Sequence, residues 1–129
     1  MKVKVQGVPI TDDGQETTKA IAWVDRHDLT PETFGLSLAA GKAVLQALQE
    51  VVVEWQMHTY LPQQRACPPC GKVRRSKGVH HTVFRTVFGA LPVDSPRLSH
   101  CPCQAQATTS FSPLAALLPE RTPPDLLYL

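Results

Sequence analysis

Polar and apolar residues alternate at the start of the chain, Lys2-Val3-Lys4-Val5-Gln6, which is the pattern of a half-buried strand. An apolar stretch over residues 20–24 can pair with it across a polar turn containing Thr11-Asp12-Asp13-Gly14. The period then changes. Ser37 is placed to cap a helix over residues 38–60, in which Val44, Leu48, Val51 and Trp55, flanked by Leu45 and Val52, form one stripe at helical spacing. That stripe reads as packing surface, directed either at the two strands or at another protomer.

Pro62-Gln63-Gln64-Arg65 links the helix to a different kind of segment. Residues 82–88 alternate again, with Phe84, Thr86 and Phe88 on one side and Val83, Arg85 and Val87 on the other. Gly89-Ala90 suits a tight turn into Leu91-Pro92-Val93. Pro92 cannot donate a ladder hydrogen bond, so the pattern predicts an edge strand there. Asp94-Ser95-Pro96 suggests a turn leading back to His100. Further on, Ser112-Pro113 starts a short helix over residues 114–118. Thr122-Pro123-Pro124-Asp125 is a second helix-start signal, followed only by Leu126-Leu127-Tyr128-Leu129. The sequence thus predicts an α+β chain. A strand-strand-helix region occupies residues 1–62, a cysteine-bearing β-hairpin module residues 63–104, and the start of a C-terminal helical region, cut off mid-element, residues 105–129.

Four cysteines stand in two close pairs, Cys67-Pro68-Pro69-Cys70 and Cys101-Pro102-Cys103, and the chain contains no others. Two knuckles separated by a β-hairpin have the layout of a zinc ribbon. Zn²⁺ takes four thiolates at tetrahedral corners, and a Cys-x-x-Cys turn presents two of them from one loop. One structural zinc ion held by Cys67, Cys70, Cys101 and Cys103 is therefore the expected cofactor. Folding of so small a hairpin is expected to depend on it.

Charge changes the picture next. The net charge of +2 argues for no partner by itself, but its distribution is uneven. From residue 65 to 103, Arg65, Lys72, Arg74, Arg75, Lys77, Arg85 and Arg97 stand against Asp94 alone, whereas acids outnumber bases before residue 65. Such a concentration suits a phosphate backbone. It also has a structural explanation, because a metal with four thiolates carries about −2 and needs compensation. Residues 1–10 hold no apolar signal-peptide core, and no apolar run approaches the ~18 residues of a membrane span. A cytoplasmic chain without membrane contact is expected, in a compartment whose reduced thiols favour metal over disulfide.

Other chemistries fit the residues less well. A redox Cys-x-x-Cys normally opens a helix after a strand, whereas Gly71 and a basic turn follow Cys70. His80, His81 and His100 are alternative ligands, His100 the best placed beside Cys101. Gly35 and Gly41-Lys42 fail as a phosphate loop on spacing, and Ala43 stands where Mg²⁺ needs a hydroxyl. Asp12, Asp13, Asp25 and Asp28 sit in polar turns, and no catalytic set converges.

Phe84-Arg85-Thr86-Val87-Phe88-Gly89 and Asp94-Ser95-Pro96-Arg97-Leu98-Ser99-His100-Cys101-Pro102-Cys103 are followed by Ser110-Phe111-Ser112-Pro113-Leu114 and Leu117-Leu118-Pro119-Glu120-Arg121-Thr122. Together with Leu29-Thr30-Pro31-Glu32-Thr33 and the opening Val3-Lys4-Val5, this series resembles the N-terminal part of bacterial ISKra-type insertion-sequence transposases, over essentially the whole chain. The resemblance implies that the four cysteines occupy the positions of the family's cysteine pairs. It also implies a region ahead of the catalytic domain, so that no catalytic residue and no strand-transfer chemistry are expected here. Either a truncated reading frame or a deliberate fragment would give such a chain.

The leading expectation is a non-catalytic DNA-binding module that helps hold the element's terminal repeats. Arg74, Arg75, Lys77, Arg85 and Arg97 are the expected phosphate contacts, with Lys72 in support, and Arg74 and Arg75 should reach outward from the loop between knuckle and hairpin. The alternatives are a dimerisation module acting through Val44, Leu48, Val51 and Trp55, and a non-functional remnant whose Leu126, Leu127 and Leu129 promote aggregation.

Overall fold

The computed structural model describes residues 1–103 and 110–118. The chain divides into two compact units, Met1–Trp55 and Gln56–Leu129, with the boundary inside a helix. The fold is α+β, as expected: the described residues form two small sheets, one long helix and one short helix. The second helix start and Leu126, Leu127 and Leu129 lie outside the described residues.

In the first unit, β1 (Lys2–Gly7) and β2 (Lys19–Asp25) pair antiparallel, with Val3 opposite Val24 and Val5 opposite Ala22. Between them, Thr11 and Gly14 close the polar turn through the Gly14 N–H to Thr11 O bond of 2.9 Å. The segment after β2 is held by Arg26, which donates to Thr33 O at 3.3 Å and to Gly35 O at 3.4 Å. Ser37 then caps α1 (Leu38–Gln63), its Oγ accepting from the Ala40 N–H at 3.0 Å. The helix ends three residues later than expected, because Pro62 falls in its last turn and removes only one intrahelical bond. No residue of α1 is fully buried. Val44, Val51 and Trp55 are half-buried, while Leu45, Leu48 and Val52 of the same stripe are exposed. Lys19 and Glu54 form an ion pair of 2.5 Å.

The core lies in the second unit. β3 (Ser76–Thr86) and β4 (Gly89–Ser99) form a long antiparallel hairpin, and β5 (Ser110–Phe111) adds to the end of β4. The turn is Val87-Phe88 rather than Gly89-Ala90. Thr86 sets it, its Oγ1 accepting from the Phe88 N–H at 3.1 Å and donating to Gly89 O at 2.8 Å. One further expectation is corrected here, and another holds over part of its strand. Asp94-Ser95-Pro96 is not a turn but part of β4; β4 is the middle strand in sheet order, yet β5 reaches only Leu98 and Ser99, so at Pro92 it has a neighbour on the β3 side alone, as an edge does. Both outcomes have one cause. The closing pair Thr86–Gly89 exchanges hydrogen bonds, and counting along the register puts Pro92 and Pro96 at non-bonded positions, their nitrogens turned away from β3. β5 pairs only with Leu98 and Ser99, beyond both prolines.

Along β4 the buried residues run Leu91, Val93, Ser95 and then Leu98, a change of phase. The register shift lies opposite, between Ser76 and Val79, where Gly78 takes φ +114°. The extra residue is on β3, whose side chains turn over there, so that Ser76 stands opposite Leu98. Along β4 itself Leu98 falls on the face opposite Leu91, Val93 and Ser95, so buried residues lie on both faces of the strand, and Cys67, Cys101 and Leu114 are buried as well. α2 (Pro113–Leu117) covers the sheet, capped by Ser112, with Pro113 in its first turn. Tyr60 of α1 donates to Pro113 O at 3.0 Å, and burial raises its phenol pKa.

Candidate metal centre

The first knuckle is a tight turn fixed by backbone bonds. The Cys67 N–H donates to Lys72 O at 2.9 Å, and the Gly71 N–H returns to Cys67 O at 2.7 Å. Gly71 has φ +74°, a left-handed conformation that glycine takes without strain. An isolated bridge from Ala66 to Val73 brings the two ends of the turn together. The second knuckle follows the last residues of β4, whose Ser99 N–H is tied to Arg75 O at 2.8 Å. The hairpin thus delivers Cys101 and Cys103 to the first pair.

All four sulfur atoms lie within 4.8 Å of one another. Cys67 and Cys103 approach to 3.5 Å, and Cys70 and Cys101 to 3.3 Å. Cys67 and Cys101 are buried, Cys70 and Cys103 exposed, and all four are free thiols. Contacts among neutral thiols, led by the one from Cys101, push the Cys103 pKa up to about 12. A bound metal ion would reverse this, because coordination deprotonates its thiol ligands outright. This arrangement can hold a metal ion. Among the described residues the cluster consists of the four cysteines, without a histidine. His100 stacks on Phe111 with ring centroids 4.9 Å apart, His80 meets Ser112 Oγ at 3.2 Å, and His81 meets Asp94 at 2.6 Å across the strands.

The basic residues divide. Lys72, Arg75, Lys77 and Arg97 are exposed at the knuckle end of the hairpin, and Arg97 donates to Ser110 Oγ at 3.1 Å. Arg85 lies near the tip, roughly 26 Å from Lys77 along β3 at about 3.3 Å per residue. Arg74 does not reach outward as expected. It is half-buried, donates to Gln64 O at 2.9 Å, and places its guanidinium 4.8 Å from the centroid of the Phe111 ring. Phe111 therefore joins a residue beside the first knuckle, Arg74, to one beside the second, His100. Spacing and periodicity carried no sign of that role.

Comparisons with protein-family models, with curated proteins and with solved structures find no match to this chain. Among the described residues, no helix is long and apolar enough to cross a membrane.

Proposed function

We propose that the chain engages DNA through a zinc-held β-hairpin, as the non-catalytic N-terminal part of an insertion-sequence transposase. The gathering of Cys67, Cys70, Cys101 and Cys103 within 4.8 Å carries the reading. Zn–S bonds of about 2.3 Å at tetrahedral angles put sulfurs about 3.8 Å apart, inside the span of the present separations. A cytoplasmic setting, with thiols kept reduced, suits this use of the quartet. The excess of basic residues on the same module, and the resemblance of its motifs to those transposases, support DNA as the partner. Arg74 is half-buried, whereas Lys72, Arg75, Lys77, Arg85 and Arg97 are exposed, so the phosphate contacts are assigned to these five.

Metal content of the purified chain, beside a Cys101→Ser/Cys103→Ser variant, tests the first half. The expected result is one zinc per chain, lost in the variant together with the dispersed amide spectrum of the hairpin. Salt titration against terminal-repeat DNA tests the second. Five phosphate contacts give a log–log slope of about −4 to −5, and Arg75→Ala/Lys77→Ala should make it shallower by about 2. Binding that ignores salt, or none at all, refutes the DNA assignment.

A second reading has its own observation. Leu45, Leu48 and Val52 leave much of the α1 stripe uncovered. The same unit also holds an open apolar groove of about 610 Å³, lined by Val3, Val5, Val24, Leu29, Phe34 and, from α1, Val44. A second copy of the chain docking there would make this unit a dimerisation element. Sedimentation of Leu48→Glu separates the two readings: loss of a dimer with DNA binding intact favours assembly.

A further inference from the structure

We propose that the four cysteines are also an oxidant-sensitive modification site, in which oxidation by two electrons per disulfide, four in all, expels the metal and joins the knuckles through Cys67–Cys103 and Cys70–Cys101 disulfides. The starting state rests on the metal-site reading above, whereas the pairing follows from the positions of the sulfurs alone.

The two close sulfur contacts both run between knuckles, 3.5 Å for Cys67 and Cys103 and 3.3 Å for Cys70 and Cys101. Each joins a buried cysteine to an exposed one. A dissolved peroxide therefore meets Cys70 or Cys103 first, while a resolving sulfur waits within contact distance. That combination favours disulfide formation over further oxidation to sulfinic acid. Pairing within the knuckles would have to include the second one. Cys101 and Cys103 are separated by Pro102 alone, so their disulfide would close a small strained ring.

The chemistry balances for a peroxide oxidant. The exposed thiolate attacks a peroxide oxygen and becomes sulfenic acid, the O–O bond breaks, and the departing oxygen leaves as water. The buried partner then attacks that sulfur, forming the S–S bond and expelling the hydroxyl as a second water. Two rounds consume two peroxides and four protons, turn four thiolates into two disulfides, break the metal–sulfur bonds and free the dication. The disulfides span 36 and 31 residues, one nested inside the other, and both enclose β3 and β4. Oxidation thus replaces a metal clamp with a covalent one at the same place, and the hairpin keeps its ends tied.

The test treats the zinc-loaded chain with hydrogen peroxide beside a chromogenic zinc indicator, then maps tryptic peptides without reduction. Trypsin separates residues 66–72, which hold the first pair, from residues 98–121, which hold the second. The expected result is loss of one zinc per chain, with these two peptides linked, their sulfurs assigned by fragmentation to the pairs above, and zinc binding restored by dithiothreitol. Separate peptides that each hold an internal disulfide, or sulfinic and sulfonic products without linkage, overturn the proposal. If the chain takes up no zinc, the metal reading has failed. Peroxide treatment of the reduced, metal-free chain then tests the pairing, with linked peptides supporting it and unlinked ones overturning it.

Discussion

Substituting Gly71 by Ala isolates the conformational demand of the first knuckle. The backbone there has φ +74°, and a Cβ built on it meets nothing within 4 Å. Any loss must therefore come from the left-handed backbone itself, with no clash and no removed contact. Holding a non-glycine L-residue in that conformation costs roughly 1–2 kcal/mol. The turn presents Cys67 and Cys70 together, so on the zinc reading proposed above the strain is drawn from binding energy. At 1.4 kcal/mol per tenfold, zinc affinity should fall by about 5- to 30-fold. Gly71→Asn should lose less than Gly71→Ala, because asparagine visits the left-handed region more readily. Competition titration against a chromophoric chelator measures all three proteins. Unchanged affinity in Gly71→Ala, or equal losses in Ala and Asn, would refute the reasoning.

Other expectations concern the core and the protons of the site. Leu98 is fully buried where β3, β4 and β5 meet the knuckles, so Leu98→Ala should cost about 2–5 kcal/mol in urea unfolding of the metal-loaded chain, and a loss under 1 kcal/mol would refute that placement. Metal uptake must expel thiol protons, so log affinity should climb with pH by up to about four per unit on the acid side of the ordinary thiol range, as read from chelator competition at several pH values; a flat profile would exclude thiolate ligation.

Much of this architecture was legible where one local rule dominates. Alternation located β1, and Phe84 and Thr86 turned out to share the buried face of β3. Ser37 and Ser112 marked helix starts because a hydroxyl before an apolar run satisfies the first free amides. The cysteines could be grouped from spacing alone, since few folds leave four thiols in two close pairs by accident. What escaped depended on pairing. Pro92 and Pro96 look like strand breakers until the register shows which way their nitrogens point. The turn position depended on the Thr86 side chain, and the inward course of Arg74 on Phe111, 37 positions away, which no local pattern connects.

The two prolines of β4 also decide what can attach to this hairpin. Ala90, Pro92, Asp94 and Pro96 share the flank turned away from β3, and half of them lack the amide hydrogen that an incoming strand would need. Asp94 adds a carboxylate to the same flank, so a foreign peptide finds a poor template along most of it. On this flank strand addition is possible only at Leu98 and Ser99, where the chain's own Ser110 and Phe111 already sit. A second copy therefore finds no ladder along most of the β4 flank. Among the described residues the outer flank of β3 has no strand beside it and no proline, so β3 is the side on which the backbone ladder stays open, while contact along β4 must be made by side chains.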